Sequence, residues 1–256
     1  SLHWLIVKAR KEGFSSLIEA VWLHACIMFQ NEKAVTMAQN QDEMKVHRDR
    51  IDFFLKNMGT ENWKWEVTLD DENQKEISFP LTGSRYWVGA AGSTSFGRSR
   101  DITRFHGTEV SYYPDQQVLV GALNACIPNA PKILESTGNG VGDMLHNLWT
   151  ECDDLGDQSE WRQFFSAWFD DPTNFIDPQN RKINYTQSEM QMRKLYKVSD
   201  GQILWYRKKY AEQPDKSKFT QEFPSSPQEA FLSSGNHIFN LEKLAYMSKR
   251  CESPLW

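Results

Sequence analysis

Residues 8–17, Lys-Ala-Arg-Lys-Glu-Gly-Phe-Ser-Ser-Leu, put a lysine, a glycine and two adjacent hydroxyls into one short stretch. An ammonium neutralises phosphate oxygens, a glycine lets backbone N–H groups approach them, and a serine hydroxyl can ligate a divalent cation. That is the chemistry of a phosphate-binding loop. The common form, G-x-x-x-x-G-K-[ST], is not matched. Aligned on Gly13 and Ser15, Lys8 stands where the first glycine belongs and Phe14 where the lysine belongs. A lysine entering from the other end of the loop still reaches the β- and γ-phosphates, and Ser15 or Ser16 still offers a hydroxyl to Mg²⁺. A strand, turn and helix with one glycine is also ordinary α/β scaffold, so the loop by itself leaves both readings open.

The flanking elements are those such a loop needs. An apolar run from Trp4 to Val7 reads as a buried strand, and helical spacing (Leu17, Ala20, Val21, Leu23, His24) marks a helix over 15–29. A strand follows at 33–38. Asn40 and Glu43 form a helix-start signature ahead of a face made by Met44, His47, Ile51, Phe54, Leu55 and Met58. A two-stranded excursion at 65–69 and 77–81 turns at 70–73, and another apolar strand covers 86–91. A Gly/Ser/Arg-rich loop at 92–101 leads to a short strand near 102–106. Pro114 is placed to open a helix over 115–127 at its first turn. A strand at 132–134 ends in Glu-Ser-Thr-Gly-Asn-Gly, a helix follows at 141–149, and the aromatic stretch 163–169 reads as a last strand. Strands interleaved with helices call for a mainly parallel sheet covered on both faces, an α/β fold.

The character changes from about residue 157. Residues 170–182 read as loop, and two helices follow with capping boxes, Thr186 with Glu189 and Ser199 with Gln202. Ser226-Pro227-Gln228-Glu229 opens a short helix with cap, first-turn proline and acidic third residue in place. This part reads as a small helical appendage, and neither internal repeat nor low-complexity tract is present.

With 256 residues, 39% hydrophobic, the chain is long enough to bury a sizeable core. Four widely spaced cysteines (26, 126, 152 and 251) form no CxxC pair, which points to reduced thiols. Without an 18-residue apolar run or a leader profile, the expectation is a soluble intracellular protein. A net charge of −5 argues against a whole-surface nucleic-acid binder but allows a local basic face. The six histidines are scattered, so a zinc site has no support. The pairs Asp153-Asp154 and Asp170-Asp171 read as solvated turns rather than a metal nuclease pair. Arg207-Lys208-Lys209, directly after Trp205 and Tyr206, is either a phosphate contact or a helix's wet face.

Five stretches occur in a telling order: VKARKEGFSS, GRSRDITRFHGTEV, ILESTGNGVGDMLHNLW, FFSAWFDDP and FTQEFPSSPQEAFLSSG. Together they resemble the ATPase region of the large terminase subunit of tailed bacteriophages, the motor that packages viral DNA. The resemblance covers nearly the whole chain. It implies a P-loop NTPase fold of the RecA-like kind, with an ATPase core over 1–169 and a helical lid and linker over 170–256. In that family a segment ahead of the phosphate loop helps hold the base, whereas Ser1 stands almost at the loop. A metal-dependent nuclease domain usually follows the ATPase, near where this sequence stops.

The resemblance also implies roles. Lys8 and Gly13 fit the family's lysine-first loop, with Phe14, Ser15 and Ser16 beside the phosphates and Ser15 the favoured Mg²⁺ ligand. Arg10 faces either the nucleotide or the sheet edge. Glu109 would orient and activate the attacking water. Thr108 occupies the place of the usual aspartate before it, and a threonine holds Mg²⁺ only weakly or through water. Arg98 and Arg100, on the Gly/Ser-rich loop before that strand, are candidates to reach a neighbouring subunit's nucleotide. Ser136, Thr137 and Asn139 match a coupling motif that senses the γ-phosphate, though a glycine-rich turn with a capping hydroxyl is the plainer reading. The implied function is ATP hydrolysis with Mg²⁺ to drive double-stranded DNA into a procapsid. The implied partners are DNA, the portal protein, the small terminase subunit and further copies in a ring, without a membrane, in the host cytoplasm at the portal. The alternatives are a helicase-like P-loop ATPase and a degenerate, non-hydrolysing scaffold.

Overall fold

Residues 3–58, 68–69, 76–92, 101–179 and 181–231 are described by the computed structural model. The first strand, β1 (His3–Lys8), runs through Leu5, Ile6 and Val7, all buried. The chain then turns through Lys11 and Gly13, both with positive φ (68° and 79°), into α1 (Phe14–Met28). Gly13 caps α1 without a side-chain hydrogen bond, so the first-turn N–H groups are left for another partner.

Next come β2 (Lys33–Ala38) and α2 (Gln41–Asn57), whose cap Asn40 accepts from the Glu43 N–H at 2.9 Å. β3 (Thr68–Leu69) pairs antiparallel with β4 (Glu76–Phe79), which pairs antiparallel with β5 (Ser84–Ala90). The turn expected at 70–73 lies outside the described residues. β6 (Arg104–Thr108) begins two residues later than the spacing predicts. Ile102 makes an isolated bridge to Cys126 instead, while Arg104 pairs with Glu32 at 2.9 Å and lies over the Trp22 ring. A 3₁₀ turn (Val110–Tyr112) follows. Then comes α3 (Gln116–Asn124), capped by Asp115, so Pro114 precedes the cap rather than filling the first helical turn.

β7 (Lys132–Ser136) is longer than expected, since Glu135 and Ser136 continue the strand. α4 (Met144–Leu155) starts late because Asp143 provides the cap, accepting from the His146 N–H at 2.7 Å. β8 (Trp161–Ser166) completes an eight-stranded sheet in the order β3-β4-β5-β2-β6-β7-β1-β8, parallel from β5 through β8. α5 (Gln187–Tyr196) and α6 (Asp200–Glu212) both carry the capping boxes read from the sequence. α7 (Phe219–Glu222), which the sequence reading did not mark, precedes α8 (Pro227–Phe231).

The alternation of side chains divides the sheet into two cores. Leu5, Val7, Val35, Met37, Phe105 and Leu134 pack toward α3, α4 and α8. Ile6, Ala34, Tyr86 and Val88 pack toward α1 and α2. By the two-residue period, Lys8, Thr36, His106, Thr108 and Glu135 all fall on the α1 side. That face is apolar at one end and charged at the other. A third cluster joins Ala9 and Trp168 to Val198, Ile203 and Trp205 of the helical layer.

Candidate nucleotide site

A cavity of about 590 Å³ opens at the C-terminal edge of the sheet, where β1 gives way to α1. Lys8, Gly13, Ser15, Ser16, Thr108 and Glu109 line it from the sheet and loop, and His47 and Arg50 from α2. Lys11 and Gly13 both have positive φ, and left-handed turns of this kind are where backbone N–H groups form anion-binding concavities. A β-carbon added at Gly13 would meet nothing within 4 Å, so the left-handed backbone, not crowding, is what calls for glycine there.

Lys8 is buried, and its ammonium sits 3.0 Å from Glu109 Oε1 and 3.4 Å from Glu135 Oε2. Burial would lower the lysine pKa, but Glu135 and Glu109 more than offset it and hold it above the usual lysine range. Glu109 follows β6 in a left-handed conformation with φ 52°. For a non-glycine residue this costs about 1–3 kcal/mol. Its Oε2 accepts from the Ser136 hydroxyl at 3.2 Å and from the Thr137 N–H at 3.1 Å. The Thr137 hydroxyl also donates to Tyr112, whose own hydroxyl donates to the Gly138 carbonyl at 2.9 Å.

Glu135, which sequence reasoning passed over, is wholly buried at the floor. Its Oε1 accepts from Ser15 Oγ and lies 3.1 Å from His106 Nε2. His106 Nδ1 lies 3.3 Å from the Thr36 hydroxyl, which is 2.8 Å from the Tyr86 hydroxyl. Burial pushes the Glu135 carboxyl up, but Lys8, His106 and Ser15 together hold it well below the usual carboxylate range. Its signal was present: in Lys-Ile-Leu-Glu, the two-residue period puts Glu135 on the face opposite Leu134. Ending the strand at 134 hid it.

The other expected residues are placed as follows. Phe14 packs its ring on Phe164 at 5.6 Å. Arg10 lines the cavity and ion-pairs with Glu222 at 2.9 Å, while its N–H donates to the Glu222 carbonyl. Asn139 donates to the Ser111 carbonyl at 2.8 Å. Arg98 and Arg100 lie outside the described residues. His47 bonds Glu19, and His106 bonds Glu135. Arg207 is taken up by Glu189 at 2.6 Å, and Lys209 by Glu212 at 2.9 Å.

No protein-family model and no curated protein sequence matches the chain. Solved structures do. The large terminase ATPase domain of Thermus phage P74-26 superposes with TM-score 0.60 at 12% identity, covering 87% of each chain. The large terminase of bacteriophage HK97 superposes with TM-score 0.61 at 14% identity over 87% of this chain. This chain has the fold of a large-terminase ATPase domain. It spans less than half of the whole HK97 subunit, 46% of that chain. The large terminase of a thermophilic bacteriophage in complex with ADP superposes with TM-score 0.51 at 12% identity over 75% of this chain and 44% of its own. In this terminase-ATPase fold the loop strand β1 and the Glu109 strand β6 are separated by β7, so Ser136 and Thr137 stand between lysine and glutamate. Among the described residues, no helix is long and apolar enough to cross a membrane.

The donor set suits a magnesium nucleotide. An anion-directed loop, a buried ammonium and a serine hydroxyl backed by a carboxylate converge on one cavity. Among the described residues, Glu135 Oε2 has no hydrogen-bond partner, and the Lys8 ammonium lies 3.4 Å from it. Ser15, with Glu135 behind it, is the group that would hold the cation. Bound there, Mg²⁺ would neutralise phosphate charge.

Proposed function

We propose that the chain is the ATPase of a viral DNA-packaging motor, hydrolysing ATP with Mg²⁺ to move double-stranded DNA into a procapsid. One observation carries this reading: the Lys8 ammonium and the Glu109 carboxylate, from strands that are not neighbours, meet at 3.0 Å in the cavity above an uncapped helix start. The terminase fold supports the choice among ATPases.

Uncapped first-turn N–H groups of α1 bind the phosphates, and Lys8 turns from its carboxylates toward the β- and γ-oxygens. Glu109 then loses its cation but keeps Ser136 and Thr137, which hold it to orient the attacking water and accept its proton. Ser136 and Thr137 are followed by Gly138, which lies so close to α8 that an added β-carbon would stand 1.8 Å from the Ala230 carbonyl. A shift at Glu109 therefore reaches α8, which packs on the sheet with α3 and α4; residues 170–256 serve as lid and linker beyond an ATPase core at 1–169. Arg98 or Arg100 completes a neighbouring subunit's site in a ring docked on the portal, with the small terminase subunit delivering DNA.

A titration with ATP and Mg²⁺, followed by turnover with and without duplex DNA, tests this. Mg²⁺-dependent binding with turnover stimulated by duplex DNA is expected. Stimulation by single strands alone would make the chain a helicase-like ATPase, and absence of binding would make it a scaffold.

A further inference from the structure

In the usual arrangement an aspartate at position 108 would stand behind the metal-binding hydroxyl, but this chain has Thr108 there. β6 and β7 are in parallel register with Thr108 paired to Glu135. Both residues belong to the α1 face of the sheet, and both are buried. Glu135 therefore brings a carboxylate, from the adjacent strand, to the space that a side chain at 108 would serve. Its Oε1 accepts the hydrogen bond from the Ser15 hydroxyl, which leaves the Ser15 lone pairs available to the cavity. Among the described residues its Oε2 has no hydrogen-bond partner, and it lies 3.4 Å from the Lys8 ammonium. His106, held through Thr36 to Tyr86, fixes Oε1 from beneath.

We infer that Glu135 is the metal-positioning carboxylate of this site, transferred from β6 to β7, and that the His106–Thr36–Tyr86 chain fixes its orientation. The inference rests on the nucleotide reading above. It explains how Thr108 is tolerated, and why a glutamate with three tethers is buried beneath a serine. The longer glutamate arm suits a strand that lies next to β1, because it reaches Ser15 and Lys8 together. Glu135 acts through Ser15, so it is a positioning residue.

The test is the affinity for a fluorescent ADP analogue with Mg²⁺ and with EDTA, folding being followed by circular dichroism. In the unaltered chain Mg²⁺ is expected to strengthen binding. Glu135→Gln should reduce that enhancement by about 10-fold or more, as removal of a metal ligand's supporting partner does. Binding in EDTA should persist. Thr108→Asp added to Glu135→Gln should recover part of the enhancement, since a carboxylate then enters from the paired position. A folded Glu135→Gln chain with undiminished Mg²⁺ enhancement would overturn the inference while leaving the nucleotide reading intact. An unaltered chain that binds no nucleotide would remove both. Should Glu135→Gln not fold, Glu135→Asp keeps the charge but withdraws from Ser15. A reduced enhancement there supports the inference, and an unchanged one overturns it.

Discussion

The C-terminal edge of the sheet and the helical layer over 187–231 are held together in opposite ways. At the edge, Lys8 and Glu135 are buried charges and Glu109 sits in a left-handed backbone conformation. Taking such groups from water costs several kcal/mol per ion, so much of their pairing only offsets desolvation. In the helical layer, two capping boxes satisfy helix starts, and Trp168 stacks on Trp205 at 5.5 Å with 9° between planes. One of its ion pairs, Arg207 with Glu189, keeps the arginine partly in water. The layer is built from terms that stabilise, whereas the edge carries strain and buried charge that its own ion pairs only offset. Buried charge placed against local rules marks the site more sharply than the cavity does.

Lys8→Ala should break that contrast most severely. Hydrolysis should vanish, and because Glu135 stays buried beside Ser15 and His106 but loses its ammonium partner, stability should fall by about 3–5 kcal/mol. Urea unfolding with a turnover assay checks both. A loss of activity without any loss of stability would show that Lys8 and Glu135 do not depend on each other.

Glu109→Gln should retain ATP binding and lower turnover by about 10²–10⁴-fold. Mixed with an Arg98→Ala/Arg100→Ala chain, it should regain activity, because its own arginines complete the other's intact site in trans. Co-assembled chains that stay inactive would place the arginine elsewhere.

Gly138→Ala joins the two regions. The added carbon collides with the Ala230 carbonyl, so α8 must move, at about 1–3 kcal/mol by analogy with overpacking. Basal hydrolysis should survive and its stimulation by duplex DNA should disappear. Equal loss of both would mean that Gly138 serves the active site itself. Trp205→Ala should behave in the opposite sense to Glu109→Gln. Stability should fall by about 3–5 kcal/mol through the cavity left in the aromatic cluster. Turnover per folded molecule should change little, as read at a temperature where the variant is native.

The smallest effect concerns pH. Burial raises the Glu12 carboxyl to about 7, with the Ser166 hydroxyl and Lys8 pulling down and Asp170 and Asp171 pushing up. Its folded pKa is raised above the unfolded value. The native state therefore keeps a proton that the unfolded state has lost between about 4.5 and 7. Stability falls as pH rises through that window. Above it, Glu12 is charged in the loop and opposes the phosphates. Affinity for ATP should drop about fivefold from pH 6 to pH 8 by a partly screened Coulomb repulsion. Glu12→Gln should flatten that drop, and identical profiles for the two chains would clear Glu12 of any part in binding.

Much of the architecture was legible because local rules agreed with the fold. The strand at 33–38, the Asn40 cap and both capping boxes need only neighbours in sequence, and each stands where the spacing put it. Boundaries drifted where a distant partner decided them. β7 runs on through Glu135 because β1 and β6 pair with it on both sides, and β6 starts late because Arg104 is held by Glu32 and Trp22. The candidate loop at 8–16 was readable as residue types at intervals, whereas Glu109 after β6 was named through the resemblance to large terminases.

Sequence alone therefore determined the alternation of strand and helix, the lysine-first loop and the supply of hydroxyls and carboxylates near it. Periodicity, caps and glycine conformational freedom act over a few residues, so they are written in order along the chain. Only the tertiary structure decided that Lys8 meets Glu109 and Glu135, that Glu135 stands opposite Thr108, and that Gly138 rests on Ala230. Those are contacts between residues far apart in sequence, 101 positions for Lys8 and Glu109, set by strand order and register. A one-residue slip of register would turn each of these side chains to the other face of the sheet.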